Sequence, residues 1–245
     1  MIEIKNLQKS FGPKKITRGL NLEVQDREFI AIIGRSGEGK SVLLKQIIGL
    51  IKPDAGQVII DGEDVTKLKG AEQQKIFTKC GYVFQFAALL DSLTVFENVG
   101  ITMLENDIPP EQVKLKVIER IQSVGLKPDV LDKYPSELSG GMRKRVGLAR
   151  TLMLNPKILI YDEPTTGLDP ITVRRIHELI KKTHDEQQTT TLVISHDIDI
   201  FNYADSVAML FEGKVVYKGP TKDIWDSDNP YIYQFIRGLS KGPID

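Results

Sequence analysis

Residues 29–41 read Phe-Ile-Ala-Ile-Ile-Gly-Arg-Ser-Gly-Glu-Gly-Lys-Ser, and this stretch decides the fold. Five apolar residues in a row fit a strand buried on both faces. Gly34–Ser41 then fits the phosphate-cradling loop, and Lys40–Ile51 continues as a helix because Leu43, Leu44, Ile47 and Ile48 share one face. A polyphosphate carries dense negative charge, so its site needs many donors pointing inward. Gly34, Gly37 and Gly39 allow backbone conformations that aim N–H groups at phosphates with no Cβ in the way. The intervening Arg35, Ser36 and Glu38, with Val42 after the loop, complete the expected nucleotide-binding stretch. The helix start adds its positive end. Lys40 is expected to reach the β- and γ-phosphates of a nucleotide, and the Ser41 hydroxyl to ligate Mg²⁺.

Outward from this centre the chain alternates. Ile2–Leu7, Leu20–Val24, Glu28–Ile33 and Gln57–Asp61 are short and β-branched, with Gly, Pro and Asp between them, and read as strands. Gly81–Phe84 is a further strand candidate. From about Leu93 to Leu154 helical periodicity dominates, broken at Pro109-Pro110, Gly125, Pro128 and Pro135, which predicts a helical insertion. From Lys157 the spacing predicts strand 157–161, helix 171–186, strand 190–195, helix 198–203 and strands 206–211 and 213–217, followed by two short helical pieces in the tail. Such alternation argues for a mostly parallel sheet covered by helices.

The bulk composition narrows the function. A length of 245 residues suffices for one large α/β domain or a core with an inserted subdomain. A formal net charge of +0 gives no electrostatic footprint for nucleic acid, so none is expected as a partner. No apolar run approaches the roughly 18–20 residues of a membrane span, and the chain opens directly on a strand pattern, so no signal peptide is expected. A single cysteine, Cys80, excludes an internal disulfide and a multi-cysteine metal site; at the start of an apolar stretch it reads as a packed thiol.

Two strand ends carry chemistry. Ile158–Tyr161 ends in Asp162-Glu163-Pro164. Alone, such an acidic pair is as often a solvated turn. After a phosphate loop, Asp162 is expected to hold Mg²⁺ through water and Glu163 to polarise an attacking water. The apolar run Thr191–Ser195 ends at His196, which in isolation would more often be structural. His177 and His184 fall on the expected helix 171–186 and carry no assigned chemistry. The basic run Arg143-Lys144-Arg145 reads as a solvated helix face.

In order, Gly34–Ser41, Leu138-Ser139-Gly140-Gly141-Met142, Ile158–Glu163 and His196 resemble the ATP-binding cassette (ABC) of transporters, over nearly the whole chain. The resemblance implies an α/β P-loop core with a mostly parallel sheet and an antiparallel β subdomain (1–85 and 155–220), an inserted helical subdomain (86–154) and a C-terminal tail (221–245). It implies an ATPase in which two copies face head to tail and sandwich two ATP molecules. Ser139, Gly140, Gly141 and Met142 then form the signature that meets the partner's nucleotide, with Met142 where the family usually has Gln. Val42 stands where the family often has Thr. Gln85 matches the glutamine that contacts Mg²⁺ or water, Thr166–Asp169 the loop coupling the two sites, and His196 the switch histidine at the γ-phosphate. Phe11 matches the aromatic that stacks on adenine. Arg145 and Arg150 match arginines of the signature helix.

A narrower likeness rests on Met142, on Tyr161–Ile171 and on the tail Gln234–Ile244. These resemble cassettes serving MCE (mammalian cell entry) lipid transporters of the Mla/Mkl type. That likeness implies phospholipid transport between bacterial envelope membranes, from the cytoplasmic face of the inner membrane. The implied partners are an integral-membrane permease docking on 86–104, an MCE-domain protein and a small regulatory subunit. Two alternatives stay open. One is the ATPase of a polar-solute importer, where Tyr134-Pro135 before the signature also occurs. The other is a soluble iron–sulfur assembly ATPase.

Overall fold

A computed structural model describes residues 1–244. Its strands are β1 (Ile2–Phe11), β2 (Lys14–Val24), β3 (Phe29–Ile33), β4 (Ala55–Ile60), β5 (Glu63–Asp64), β6 (Cys80–Val83), β7 (Ile158–Asp162), β8 (Thr190–Ile194), β9 (Ser206–Phe211) and β10 (Lys214–Pro220). Its helices are α1 (Lys40–Ile47), α2 (Ala71–Lys79), α3 (Val95–Leu104), α4 (Pro110–Ser123), α5 (Gly140–Leu152), α6 (Pro170–Gln187) and α7 (Pro230–Arg237).

The strands form two sheets. One is antiparallel, in the order β2-β1-β4-β5; the other runs β10-β9-β3-β8-β7-β6, parallel except for the β9–β10 hairpin. Strand alternation divides the second sheet's side chains between two cores. Ile30, Ile32, Ile158, Ile160, Leu192 and Ile194 join α1 and the antiparallel sheet. Phe29, Ala31, Ile33, Leu159, Tyr161 and Val193 join α3, α4, α5 and α6. Every residue of β3, β7 and β8 is buried, which is why these strands read as unbroken apolar runs.

Local chemistry sets the helix ends. Thr94 and Glu97 close a reciprocal capping box on α3, Pro110 occupies the first turn of α4, and Ser139 and Asp169 cap α5 and α6. Strands β1 and β2 are longer than the sequence reading, β5 is additional, and three helical segments differ from it. Helix α1 stops at Ile47, four residues short of Ile51, and Gly49 just beyond it takes φ +77°. Helix α2 lies where no helix is expected; only Ile76 of its residues is buried, so its apolar periodicity is too thin to read. The segment after His196 is a 3₁₀ turn, Ile198–Asn202. The Cys80 thiol is packed as expected, and burial pushes its pKa up to about 12.

Tyr161 sits fully buried with a hydroxyl that has no hydrogen-bond partner among the described residues. Removing an orphaned buried hydroxyl while keeping the ring relieves a desolvation cost of about 1 kcal/mol. Tyr161→Phe is therefore expected to raise the melting temperature by about 2–4 °C, measured calorimetrically. A lower melting temperature would mean the hydroxyl has a partner in solution.

Candidate active site

The loop between β3 and α1 is shaped by its glycines. Gly37 and Gly39 hold φ +85° and +89°, in the left-handed region. A Cβ on Gly39 would run into Ile16 of β2, whereas one on Gly37 would point into open space. The Lys40 ammonium donates to the carbonyls of Gly34 and Arg35, both at 2.7 Å. Burial lowers the Lys40 pKa, opposed by the nearby carboxylates of Glu163, Glu38 and Asp162. The lysine is therefore folded back over its own loop.

The parallel register of β3, β8, β7 and β6 brings the chemical residues to one end of the sheet. The Ser41 hydroxyl at the start of α1 donates to Asp162 Oδ1 at 2.7 Å, across 121 residues of sequence. The Tyr82 hydroxyl donates to the other oxygen, Oδ2, also at 2.7 Å. Glu163 follows in the left-handed region at φ +49°, an uncommon conformation for a residue with a side chain. Its carboxylate has partners separate from those of Asp162. Oε2 accepts from the Gln85 amide at 3.1 Å and the Thr166 hydroxyl at 3.0 Å, and Oε1 lies 2.9 Å from His196 Nε2. A carboxylate oxygen accepts, so the imidazole supplies the N–H. Lys40, Ser41, Gln85, Asp162, Glu163 and His196 thus converge. Gln85 reaches Glu163 rather than the Ser41–Asp162 pair where a metal ligand would sit.

The other expected residues lie apart. Ser139 caps α5, its hydroxyl accepting from the Met142 N–H at 3.3 Å, so its own proton stays available. Space beside Gly140 and Gly141 is bounded by Leu168 and Thr172, and Met142 packs against the core. The signature residues thus adjoin the loop before α6, while the P-loop adjoins β2. Asp169 is turned to its own helix, both oxygens held by Thr172. Phe11 ends β1 half exposed, with Lys9 above its ring.

Arg143-Lys144-Arg145 is a largely solvated face, with Arg143 exposed and Lys144 and Arg145 partly so, and its cations also reach loop carbonyls. Arg143 donates to the Leu138 carbonyl, Lys144 to that of Thr166 and Arg145 to that of Gly125. Arg150 donates to the carbonyls of Ala87 and Ala88, tying α5 to the segment just after Gln85. These cations satisfy loop carbonyls that no helix or strand pairs. Tyr82 was missed as a site group, and Thr166 was expected in the coupling loop but not on Glu163. Nothing local marks Tyr82, because its reach to Asp162 depends on β6–β7 pairing.

Residues 17–166 match the family model for the ABC transporter. The chain is 39% identical over 245 residues to the probable ribonucleotide transport ATP-binding protein mkl of Mycobacterium leprae, covering 99% of this chain and 70% of that one. It is 36% identical over 246 residues to the intermembrane phospholipid transport system ATP-binding protein MlaF of Haemophilus influenzae, covering 100% of this chain and 93% of that one. A dimeric ATP-binding cassette solved in a post-hydrolysis state with ADP and Pi superposes with a TM-score of 0.83 at 33% identity, over 90% of this chain and 99% of that one. The α/β P-loop architecture expected from the sequence is the one shared with that cassette, and the chain belongs to the ABC transporter family as one of its ATP-binding, ATP-hydrolysing subunits.

Proposed function

We propose that this chain powers phospholipid transport between bacterial envelope membranes as the ATPase of an MCE-type ABC system. The observation that carries hydrolysis is the Glu163 carboxylate, held by Gln85, Thr166 and His196 beside the Lys40–Ser41–Asp162 group. The observation that favours lipid is the likeness to the phospholipid-transport relative, which spans 93% of that protein.

The roles follow from the geometry. The P-loop N–H groups and Lys40 bind the phosphates, and Phe11 offers its exposed ring to the adenine. Ser41 and Asp162 present hard oxygens close together, with no cluster of three His, Cys, Asp or Glu among the described residues. That donor set suits Mg²⁺, which takes one or two protein oxygens and completes its shell with phosphate and water. Bound there, Mg²⁺ neutralises charge on the phosphate oxygens. Glu163 accepts a proton from the water whose oxygen attacks the γ-phosphorus, as the bond to the ADP oxygen breaks. His196 orients Glu163 and faces the γ-phosphate, and Gln85 links this site to the helical part, residues 86–154.

Ser139–Met142, whose glycines face Leu168 and Thr172, serve the nucleotide of a second copy. Two copies close over two ATP molecules and move a permease between conformations. Asp169, just outside the signature, couples the two sites. The chain sits peripherally on the cytoplasmic face of the inner membrane, with the MCE-domain protein and a small regulatory subunit in the same assembly. No helix of the described residues is long and apolar enough to cross a membrane, so the permease supplies the spans.

A second reading, a polar-solute transporter, is favoured by the relative named for ribonucleotide transport. Tagging the chain, extracting membranes in mild detergent and identifying copurifying proteins separates the two. A multi-span permease with an MCE-domain protein and bound phospholipid is the expected result. A permease with a solute-binding protein would replace lipid by a polar solute. Only soluble assembly proteins, as for an iron–sulfur assembly ATPase, would remove transport.

A further inference from the structure

Strand β6 is the edge of the parallel sheet, yet two of its neighbourhood's side chains reach the acidic pair that ends β7. Gln85 reaches Glu163, and Tyr82 reaches Asp162. The contact to Asp162 has a definite form. The carboxylate is buried, and its two oxygens are divided between two hydroxyls, Ser41 on Oδ1 and Tyr82 on Oδ2, each at 2.7 Å.

We propose that Tyr82 is a positioning residue for magnesium binding: its hydroxyl pins Asp162 Oδ2 and so keeps Oδ1 turned toward Ser41 and the metal. This rests on the nucleotide-site reading given above. A carboxylate in a site with little water needs its lone pairs satisfied. With Oδ2 held from the β6 side, rotation of the carboxylate about its own bond costs that hydrogen bond, and Oδ1 stays on the α1 side. Mg²⁺ demands near-ideal octahedral geometry, so a ligand that is pre-oriented binds it better than one that must be ordered on binding. The Tyr82 ring is fixed in turn against Phe84, with centroids 4.5 Å apart and planes inclined at 48°. Burial, together with the Asp162 contact, pushes the phenol pKa well above its ordinary value, so the hydroxyl remains a neutral donor. Asp162 itself keeps its place in the strand through the β7–β8 pairing with Ile194, so only the rotation of its side chain depends on Tyr82.

Tyr82→Phe removes the hydroxyl and keeps the ring. The test measures binding of a non-hydrolysable ATP analogue to the full chain by calorimetry, once in EDTA and once in saturating Mg²⁺. Outer-shell partners of metal ligands typically contribute 10–100-fold in metal affinity. The variant is expected to keep its EDTA affinity within about twofold and to lose about tenfold of its affinity in Mg²⁺. A Mn²⁺ titration of the analogue complex, followed by electron paramagnetic resonance, should show weaker metal binding by the same factor. The same response to Mg²⁺ as the wild type would overturn the proposal. Equal losses with and without metal would overturn it too, because they report damage to the fold of the site rather than to metal placement. A wild-type chain that binds no nucleotide in either buffer would remove the nucleotide reading itself, and the proposal with it, and is told apart by the wild-type control.

Discussion

Glu163→Gln is expected to lower steady-state ATP hydrolysis by about 1,000-fold, because a positioned general base contributes roughly 10²–10⁴ in rate. ATP affinity should change little. The amide has the shape of the carboxylate and can keep the surrounding contacts. Its oxygen can accept from His196 Nε2, and its NH₂ can face the Thr166 hydroxyl and a flipped Gln85 amide, which both accept as well as donate. The group lost is the proton acceptor alone. With binding intact and hydrolysis stopped, the closed two-copy state should persist. Size-exclusion chromatography of the variant in ATP is expected to show a dimer that wild type forms only transiently. Adding Ser139→Arg to the same chain should abolish that dimer, since a long cation would then project from the capped start of α5 where the partner's nucleotide must approach. Hydrolysis at the wild-type rate would remove Glu163 as the base, and a monomer in ATP would count against the composite site.

Lys40→Ala acts one step earlier, on binding. The lysine is held by two loop carbonyls at 2.7 Å, desolvated and already beside the phosphate cradle. Its removal takes away a charged donor to the phosphates and leaves those carbonyls without their partner. A charge-assisted hydrogen bond in such a site contributes about 1.5–3 kcal/mol, and a lysine spanning two phosphates makes more than one. ATP affinity, measured by calorimetry, is expected to fall roughly 100-fold, about 3 kcal/mol. The two variants therefore fail differently, Lys40→Ala without bound nucleotide and Glu163→Gln with nucleotide trapped. Equal affinity in Lys40→Ala and wild type would contradict the P-loop reading.

How much of this was legible in the chain follows from where each signal resides. The P-loop, the acidic pair and His196 are each written within a few residues: an apolar strand, then its polar terminus. Strand alternation and a glycine-bounded helix are short-range patterns, and a residue at the C-terminal end of a parallel strand necessarily faces the ligand edge of the sheet. Helix α2 was illegible because it buries only Ile76 and so lacks an apolar stripe. The basic run 143–145 is the solvated face its charge suggests, but the loop carbonyls it also reaches were illegible because those loops come beside it only on folding.

The sequence by itself determined the family and the ordered motifs, and named the candidate phosphate-facing residues, since those depend on contiguous residues and fixed backbone periodicities. Only the tertiary structure decided which groups touch. Register between β6 and β7 puts Tyr82 on Asp162, folding gathers Gln85 and His196 on Glu163, and the signature glycines come to face Leu168 and Thr172. The physical reason is that these contacts span tens to more than a hundred residues of chain, and are set by sheet pairing and core packing rather than by any local preference.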